Sequence, residues 1–479
     1  MSGRKASPIR GSLLLTGGRL VSSLSGLILV WLIAHRGAGD LGVFRTLFSF
    51  FLVAELFPLL GLQIFLMREI SLHRDEIKKY LLHSAVFALV VSVAVGFVLL
   101  GLSRFGGYSP EVSKGLVIIT GTMPATALYV CFVPILVGLE KTASLGVLQA
   151  LETLGRTMIG AIFVLLKWDI LTVITVLVAV RWLVLIAYWL CIRRDAANGL
   201  WRFERNFFKS IIAQVPVFAG ITVFVAISRF AAPLMLPWMQ GDRAAGQFGA
   251  SYVIVDIALL LPTAIVANLM PRLSLLAKDS VTLLSRAAQD GIKMMAMGTL
   301  PVAGLVTLLA KPLLAVIFRN PDVYVAAAPL LQINIWLCVF MAFDQVLSSA
   351  IVACGKQRYD LQTVAIGAIA TLGMLFGGIS TMGVRGAAIG LAGGCLLQLS
   401  ARFVLFAPHL CGINPLPLVW RPVVATGIMM VSVFWIPLAY WPLAAVVGLV
   451  VYISAMKLLG ALSEEEWNGI NMLLRARKT

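Results

Sequence analysis

The sequence predicts an all-α polytopic membrane protein of about fourteen transmembrane helices, arranged as two six-helix lobes followed by two further helices. Three observations carry that reading. Of 479 residues, 60% are hydrophobic and only 12% are charged, against about 45–50% and 25% in ordinary soluble domains. The mean hydropathy is +0.97, too high to cover a water-facing surface with polar side chains. A repeat with a constant offset of 204 residues then divides the chain into two comparable halves.

A bilayer core of about 30 Å needs about 20 apolar residues per helix. Apolar runs bounded by charged or Gly/Pro breaks place helices at 12–34, 44–66, 80–102, 115–138, 142–166 and 170–192. A second set falls at 208–238, 247–270, 294–318, 324–352, 361–380, 386–407, 422–439 and 443–460. The stretch after Arg4, Lys5 and Arg10 resembles a secretory leader, but it is long and reaches Ala34-His35-Arg36 without a small-residue cleavage site, so it counts as the first helix.

The net charge of +17 comes from 38 Lys and Arg against 21 Asp and Glu. In a soluble protein that balance would point to nucleic acid, whereas cytoplasmic loops of membrane proteins collect basic residues. With the N-terminus inside, alternate loops hold 24 Lys and Arg on the inner side and 8 on the outer, and six lie within helices. This bias predicts a membrane protein with both termini in the cytoplasm and no nucleic-acid partner. The six cysteines, Cys131, Cys191, Cys338, Cys354, Cys395 and Cys411, form no CxxC pair and read as free thiols in apolar helices, with no metal site or cofactor.

In the repeat, Gly42-Val43-Phe44, Pro58 and Arg68 match Gly246-Gln247-Phe248, Pro262 and Arg272. Each series reads as an outer loop, the following inward helix and its cytoplasmic end, so helices 1 and 2 correspond to helices 7 and 8. The expected organisation is an N-lobe over 1–207, a C-lobe over 208–407, and helices 13 and 14 with a tail over 408–479. Two lobes with a site at their interface near the midplane are a transporter architecture. All loops are short, which leaves no room for a catalytic domain, and no phosphate-binding loop or nucleotide-binding domain is present.

Ionisable groups inside membrane helices are costly, so they face protein or water. Here they are Arg19, Arg156, Arg181, Arg229, Lys311 and Arg402 against Glu55, Glu152, Asp256 and Asp344, a cationic surplus of two. That balance favours an anionic substrate, because guanidinium forks match phosphate oxygens. Arg19 and Arg229, on the corresponding helices 1 and 7, are the leading cavity candidates, with Arg156 and Arg181 divided between substrate contact and lobe packing. Arg19 with Glu55 and Arg229 with Asp256 could instead neutralise each other. Glu55, Asp256 and Asp344 are candidates for binding a coupling proton or sodium ion. Lys311, Glu152 and Arg402 lie near helix ends and read as snorkelling to an interface.

Pro58, Pro216 and Pro262 are expected to interrupt helices 2, 7 and 8. Gly386, Gly390 and Gly394 on helix 12, with Gly373 and Gly377 on helix 11, are spaced to let helix backbones approach closely.

Several further segments carry a resemblance. They are Gly42 to Phe44, Pro262 with Pro271-Arg272-Leu273-Ser274, Pro301 through Pro312 to Phe318 with Tyr324 and Ala326, Gly355-Lys356, and Gly383 with Gly386-Ala387-Ala388. In this order and topology the chain resembles the multidrug, oligosaccharidyl-lipid and polysaccharide (MOP) exporter superfamily, specifically its Wzx-type flippases for lipid-linked oligosaccharides. The resemblance implies a V-shaped pair of lobes around a cationic cavity. It also implies alternating access that carries a polyprenyl-diphosphate-linked oligosaccharide to the outer leaflet for O-antigen, capsule or exopolysaccharide synthesis. The implied partners are that lipid, the surrounding membrane lipid, and a polysaccharide polymerase with its export machinery. It assigns Arg229, after Ser228, to the cavity. The sequence departs from the family pattern at Ala231, where an acidic residue is common, and at Arg319, where Gly commonly stands.

Two siblings of the same superfamily stay open: an ion-coupled drug or small-molecule antiporter, which usually has twelve helices and an acidic cavity, and a lipid II flippase. A membrane polysaccharide polymerase would need a large outer loop bearing catalytic groups, which this sequence lacks.

Overall fold

The computed structural model describes residues 25–73, 76–193, 203–318, 324–406 and 416–460. Among them all regular structure is helical. The helices are α1 (Ser25–Ala34), α2 (Ala38–Leu56), α3 (Gln63–Leu72), α4 (Ile77–Phe105), α5 (Pro110–Thr120), α6 (Met123–Gly138), α7 (Thr142–Leu165), α8 (Ile170–Ile192) and α9 (Arg205–Gln240). The chain continues through α10 (Asp242–Ala258), α11 (Leu260–Asp279), α12 (Val281–Ile317), α13 (Ala328–Asn334) and α14 (Leu337–Ala353). It ends with α15 (Gln357–Met382), α16 (Val384–Phe406), α17 (Leu416–Phe434) and α18 (Trp441–Leu458).

Ten helical stretches among the described residues are long and apolar enough to cross a membrane, or eleven when α5 and α6, bent by 56°, count as one span. Their outward faces are apolar: Phe97 is 70% exposed and Val404 72%. A water-soluble protein would bury such side chains, whereas lipid tails solvate them. The protein is therefore a multi-pass membrane protein.

The expected helix interruptions appear in two of three places. After α2 the chain turns through Phe57–Leu62, with Pro58 in the turn and positive φ at Leu60 (45°) and Gly61 (81°). The α10–α11 break falls at Leu259, three residues before Pro262. Pro216 does not interrupt its helix: α9 runs unbroken through Pro216, Pro233 and Pro237. Other boundaries have local causes. Ser109 caps α5, its hydroxyl accepting from the Val112 N–H at 3.4 Å, with Pro110 in the first turn where no N–H is needed.

The described chain forms two compact units. The first contains Met1–Val253, Phe318–Tyr324 and Gly367–Gly394, and the second Ile254–Ile317, Val325–Ile366 and Cys395–Thr479. In the first unit a core built on α3, α4, α6 and α8 buries Leu62, Leu66, Ile70, Ala88, Ile135 and Tyr188. His83 on α4 sits fully buried beside the start of α9. Its Nε2 accepts from the Glu204 N–H at 2.8 Å, so the proton lies on Nδ1, 2.6 Å from the Lys79 carbonyl oxygen. The ring stacks on Phe203 at 4.8 Å. The second unit has a core of Leu273, Leu284, Ile292, Met295, Val346 and Ile351 from α11, α12 and α14. There α17 and α18 pack on each other and on α12, and the Tyr452 hydroxyl donates to the Met297 carbonyl at 3.0 Å.

The repeat read from the sequence has a structural counterpart within the first unit. Helices α2 and α10 begin 204 residues apart, and Gly42 and Gly246 are each the fifth residue of their helix. These glycines therefore lie in helices and not in loops, where the sequence reading had placed them. A Cβ on Gly42 would collide with the Asp242 carbonyl, and one on Gly246 with the Ala38 carbonyl.

The small-residue stripe on α16 also packs as expected, with one change of partner. A Cβ at Gly386 would collide with Gly378, one at Gly390 would lie 2.7 Å from the Met374 carbonyl oxygen, and one at Gly394 would collide with Thr371. Gly373 and Gly377 have nothing within 4 Å, so Gly378 carries the α15 side of the contact.

Candidate ion clusters in the two units

Two buried ion clusters stand out, and each is centred on an arginine. Arg181 and Arg402 are the two largest fully buried side chains among the described residues. Arg181 lies on α8 and Arg402 on α16, the helices expected to be sixth and twelfth in the chain. Each guanidinium is clamped by two carboxylates.

In the first unit, Arg181 Nη2 donates to Glu55 Oε2 of α2 at 3.2 Å, and its Nη1 lies 3.4 Å from Glu152 Oε1 of α7. Its guanidinium carbon stands 4.0 Å from the ring centre of Tyr129 and 5.2 Å from that of Phe51. Aromatic faces so placed attract a cation that water no longer solvates. Arg156, one turn along α7, reaches Glu152 with a looser contact of 3.9 Å. The cluster thus holds two positive and two negative groups. Glu55 is 23% exposed, Arg156 20%, Glu152 3% and Arg181 2% as side chains.

In the second unit, Arg402 Nε lies 3.0 Å from Asp344 Oδ1 and its Nη2 2.9 Å from Asp360 Oδ1. Its Nη1 donates to the Asp344 carbonyl at 3.0 Å. Gln398 donates to Asp344 Oδ2 at 2.8 Å, and the Ser348 hydroxyl to Asp360 Oδ1 at 2.9 Å. This cluster carries one negative charge in excess.

These placements revise the charge census. Glu152 and Arg402 are buried partners rather than snorkelling side chains, because each finds opposite charge inside its bundle. Lys311 is exposed. Glu55 pairs with Arg181, and Arg156 and Arg181, read as cavity candidates, both contact Glu152. Asp344 is bound to Arg402. Asp256 is half-buried on α10. Arg229 on α9 is exposed, 5.8 Å from the Phe230 ring, with no carboxylate partner among the described residues. Arg19 lies outside the described residues, as does Cys411. The other five cysteines are free, and burial pushes the Cys354 thiol up while Lys356 opposes it.

Asp360, Gln398 and the aromatic wall of Tyr129 and Phe51 were not singled out by sequence, and Glu152 was read as facing an interface rather than Arg181. The four-residue spacing of Glu152 and Arg156 was the available signal, since such residues face each other on a helix. Asp360 escaped notice because it sits at the first turn of α15, in what reads as a loop.

Solved structures share this fold along almost the whole chain. A lipid II flippase, MurJ, in an inward closed conformation superposes with a TM-score of 0.77 at 12% identity, covering 93% of this chain and 98% of its own. A multidrug resistance MATE family transporter of the MOP superfamily, in an inward-facing conformation, matches with 0.65 at 15% identity, covering 81% and 94%. A MOP superfamily transporter from Pyrococcus furiosus Vc1, described as having a binding pocket of reverse polarity, matches with 0.59 at 15%, covering 84% and 95%. The fold is thus that of MOP-superfamily transporters and flippases.

Residues 9–277, more than half of the sequence, match the polysaccharide biosynthesis protein family, and the chain belongs to it. Residues 223–379 also match the MatE family. No curated protein sequence matches the chain.

Proposed function

We propose that this protein is a Wzx-type flippase that moves a polyprenyl-diphosphate-linked oligosaccharide across the bacterial cytoplasmic membrane by alternating access, without covalent catalysis. The observation that carries this reading is the polysaccharide biosynthesis match over residues 9–277.

On this reading both termini are cytoplasmic, and Arg229 meets the diphosphate. Its guanidinium is exposed and has no carboxylate partner among the described residues, so its fork is available to phosphate oxygens. Arg19 is the corresponding candidate on the first helix. Arg181 is committed to Glu55 and Glu152 and serves the N-terminal unit as an internal support. A proton or sodium gradient would drive the cycle, with Glu55, Asp256 and Asp344 as candidate coupling groups. A polymerase and export machinery would take the product.

Lipid II flipping is the second reading, favoured by the 98% coverage of the lipid II flippase chain. Binding to the purified protein in nanodiscs separates the readings. Polyprenyl-diphosphate oligosaccharide, lipid II and a panel of cationic drugs are compared at low and moderate salt. Tight, salt-sensitive binding of the oligosaccharide lipid that weakens in Arg229→Ala is the expected result. Preference for lipid II selects the second reading, and preference for cations would make the protein an antiporter.

A further inference from the structure

Three packed helices of the second unit bring cationic side chains to one end of the bundle. Arg421 lies on the second turn of α17, and Lys457 is exposed on the last turn of α18. Helix α12 runs antiparallel to α18: Leu305 packs on Gly448, and the Met297 carbonyl accepts from Tyr452. Lys293, one turn before Met297, therefore falls at the same end as Lys457. Against these three, α12 places one exposed carboxylate there, Asp290.

Arg421 is the fixed point of this end. It is half-buried and has no carboxylate partner among the described residues. Its Nη1 donates to the Gly460 carbonyl at 2.6 Å, and its guanidinium carbon lies 5.5 Å from the Trp420 ring centre. Its Nε is buried without an acceptor. A carbonyl and a ring orient the cation but carry no net negative charge to balance it. A helical side chain leans toward the N-terminus of its own helix, so Arg421 leans toward the start of α17 and away from the bilayer centre.

The depth of this end follows from its aromatic residues. Trp420 is 46% exposed, and Trp435, just past the other end of α17, is 79% exposed. They are separated by about 22 Å of helix, inside a hydrocarbon core of about 30 Å. Such Trp side chains sit at the boundary between hydrocarbon and headgroups, which sets Arg421 within reach of the lipid phosphates. Leu458, beside Lys457, is 88% exposed, so lipid covers this flank.

We infer that this end binds the phosphate of an anionic phospholipid. The donors of Arg421 not used by Gly460 meet the phosphate oxygens, and the exposed face of Trp420 lies along the glycerol and the upper acyl chain. Lys457 and Lys293 add positive potential, which disfavours a zwitterionic headgroup because its ammonium is repelled. A lipid held here ties the start of α17 to the end of α18. The site is separate from Arg229 and stands whichever substrate the protein moves.

The test is native mass spectrometry of the full-length protein, titrated in detergent with phosphatidylglycerol or with phosphatidylethanolamine of the same chains. Preferential retention of phosphatidylglycerol is expected, about tenfold weaker in Arg421→Ala and partly restored in Arg421→Lys. Arg286→Ala, an exposed arginine two turns further out on α12, should bind as the wild type does. An equal loss in Arg286→Ala would reduce the effect to diffuse surface charge and overturn the site, as would equal retention of the two phospholipids. Inorganic phosphate should not raise Tm; a rise that Arg421→Ala abolishes would assign the site to a soluble anion instead. Polyprenyl diphosphate, titrated alongside, should keep its affinity in Arg421→Ala, and its loss there would make this end part of the substrate path. The acidic run Glu464-Glu465-Glu466 is the rival occupant. If neutralising it to glutamine lowers Tm as Arg421→Ala does, with no added phosphatidylglycerol retained, the charge is met by the chain and not by lipid. Gel filtration checks the fold of each variant, and Arg421→Lys, which keeps the charge, decides the matter where Arg421→Ala fails to fold.

Discussion

Gly42 and Gly246, 204 residues apart, each press against the first turn of the other's helix: Gly42 on the Asp242 carbonyl and Gly246 on the Ala38 carbonyl. Because Ala38 and Asp242 are themselves separated by 204, the contact is reciprocal, as between two copies of one element. Arg45 adds to it by donating from Nη2 to the Gly249 carbonyl at 3.1 Å, again across an offset of 204. The starts of α2 and α10 are therefore joined backbone to backbone, at a separation that any side chain would increase.

Alanine at either glycine should destabilise the protein, because the obstruction is backbone rather than a flexible side chain. Overpacking of this kind costs about 1–3 kcal/mol. Gly39→Ala is the control, since nothing lies within 4 Å of its Cβ position. Thermal unfolding of detergent-solubilised protein should show a lower Tm for Gly42→Ala and Gly246→Ala and no drop for Gly39→Ala. Equal behaviour of all three would mean the close approach contributes nothing.

Removing Arg181 should be far more damaging than removing either of its carboxylates. Arg181→Met leaves Glu55 without its arginine and the buried Glu152 with the looser Arg156 contact, and stranding buried charge in this way costs about 3–5 kcal/mol. Glu152→Gln keeps the volume and removes one of the two negative charges, so it should be milder. Adding Glu55→Gln and Glu152→Gln to Arg181→Met should recover part of the loss, because the stranded charges are gone. Tm values of the four proteins test this, and a triple variant no better than Arg181→Met would argue against the charge account.

The contrast between spans and partners shows what the sequence makes legible. Membrane helices are readable because hydropathy integrates over about 20 residues, and the repeat because Gly42, Pro58 and Arg68 recur at a fixed offset. Ion partners depend on which way a helix face turns, and neighbouring residues do not record that. Glu55 and Arg181 are 126 residues apart, and nothing local says they meet. Glu152 lay near a helix end by count, yet α7 turns it inward to Arg181. Pro216 had the composition of a break, but α9 continues through it. Exposure of Arg229 likewise required the fold.

Gly386 and Gly373 should respond oppositely to the same substitution. A Cβ on Gly386 would meet the Gly378 backbone, whereas Gly373 is open. Gly386→Ala should therefore lower Tm, while Gly373→Ala, at an open helical position, should leave it unchanged or raise it by reducing unfolded-state entropy. Gly377→Ala, also open, should follow Gly373→Ala. A drop in all three would show that the α15 stripe packs through Gly373 and Gly377 after all.

His83→Ala should loosen the start of α9. It removes the acceptor of the Glu204 N–H and the ring stacked on Phe203. The bond is part-buried at an exposed residue, so its loss costs about 0.5–1.5 kcal/mol. His83→Phe keeps the ring without the acceptor, so the two variants separate packing from hydrogen bonding. Hydrogen exchange of the Glu204 amide should accelerate in both, and unchanged exchange would place the stabilisation elsewhere.

Arg229→Ala should do the reverse of Arg181→Met, sparing the fold and weakening the ligand. Its guanidinium is exposed and has no carboxylate among the described residues, so its loss strands no charge. A surface substitution of this kind changes stability by within about 0.5 kcal/mol. If Arg229 holds a phosphate oxygen, the lost charge-assisted hydrogen bond is worth about 1.5–3 kcal/mol. That corresponds to a rise in Kd of roughly 10- to 100-fold for a polyprenyl-diphosphate lipid. Arg229→Lys should recover part of the affinity, because charge remains while the bidentate fork is lost. Tm and lipid titration on the same samples provide the test: an unchanged Kd in Arg229→Ala removes this residue from the binding site, and a large fall in Tm would give it a structural role instead.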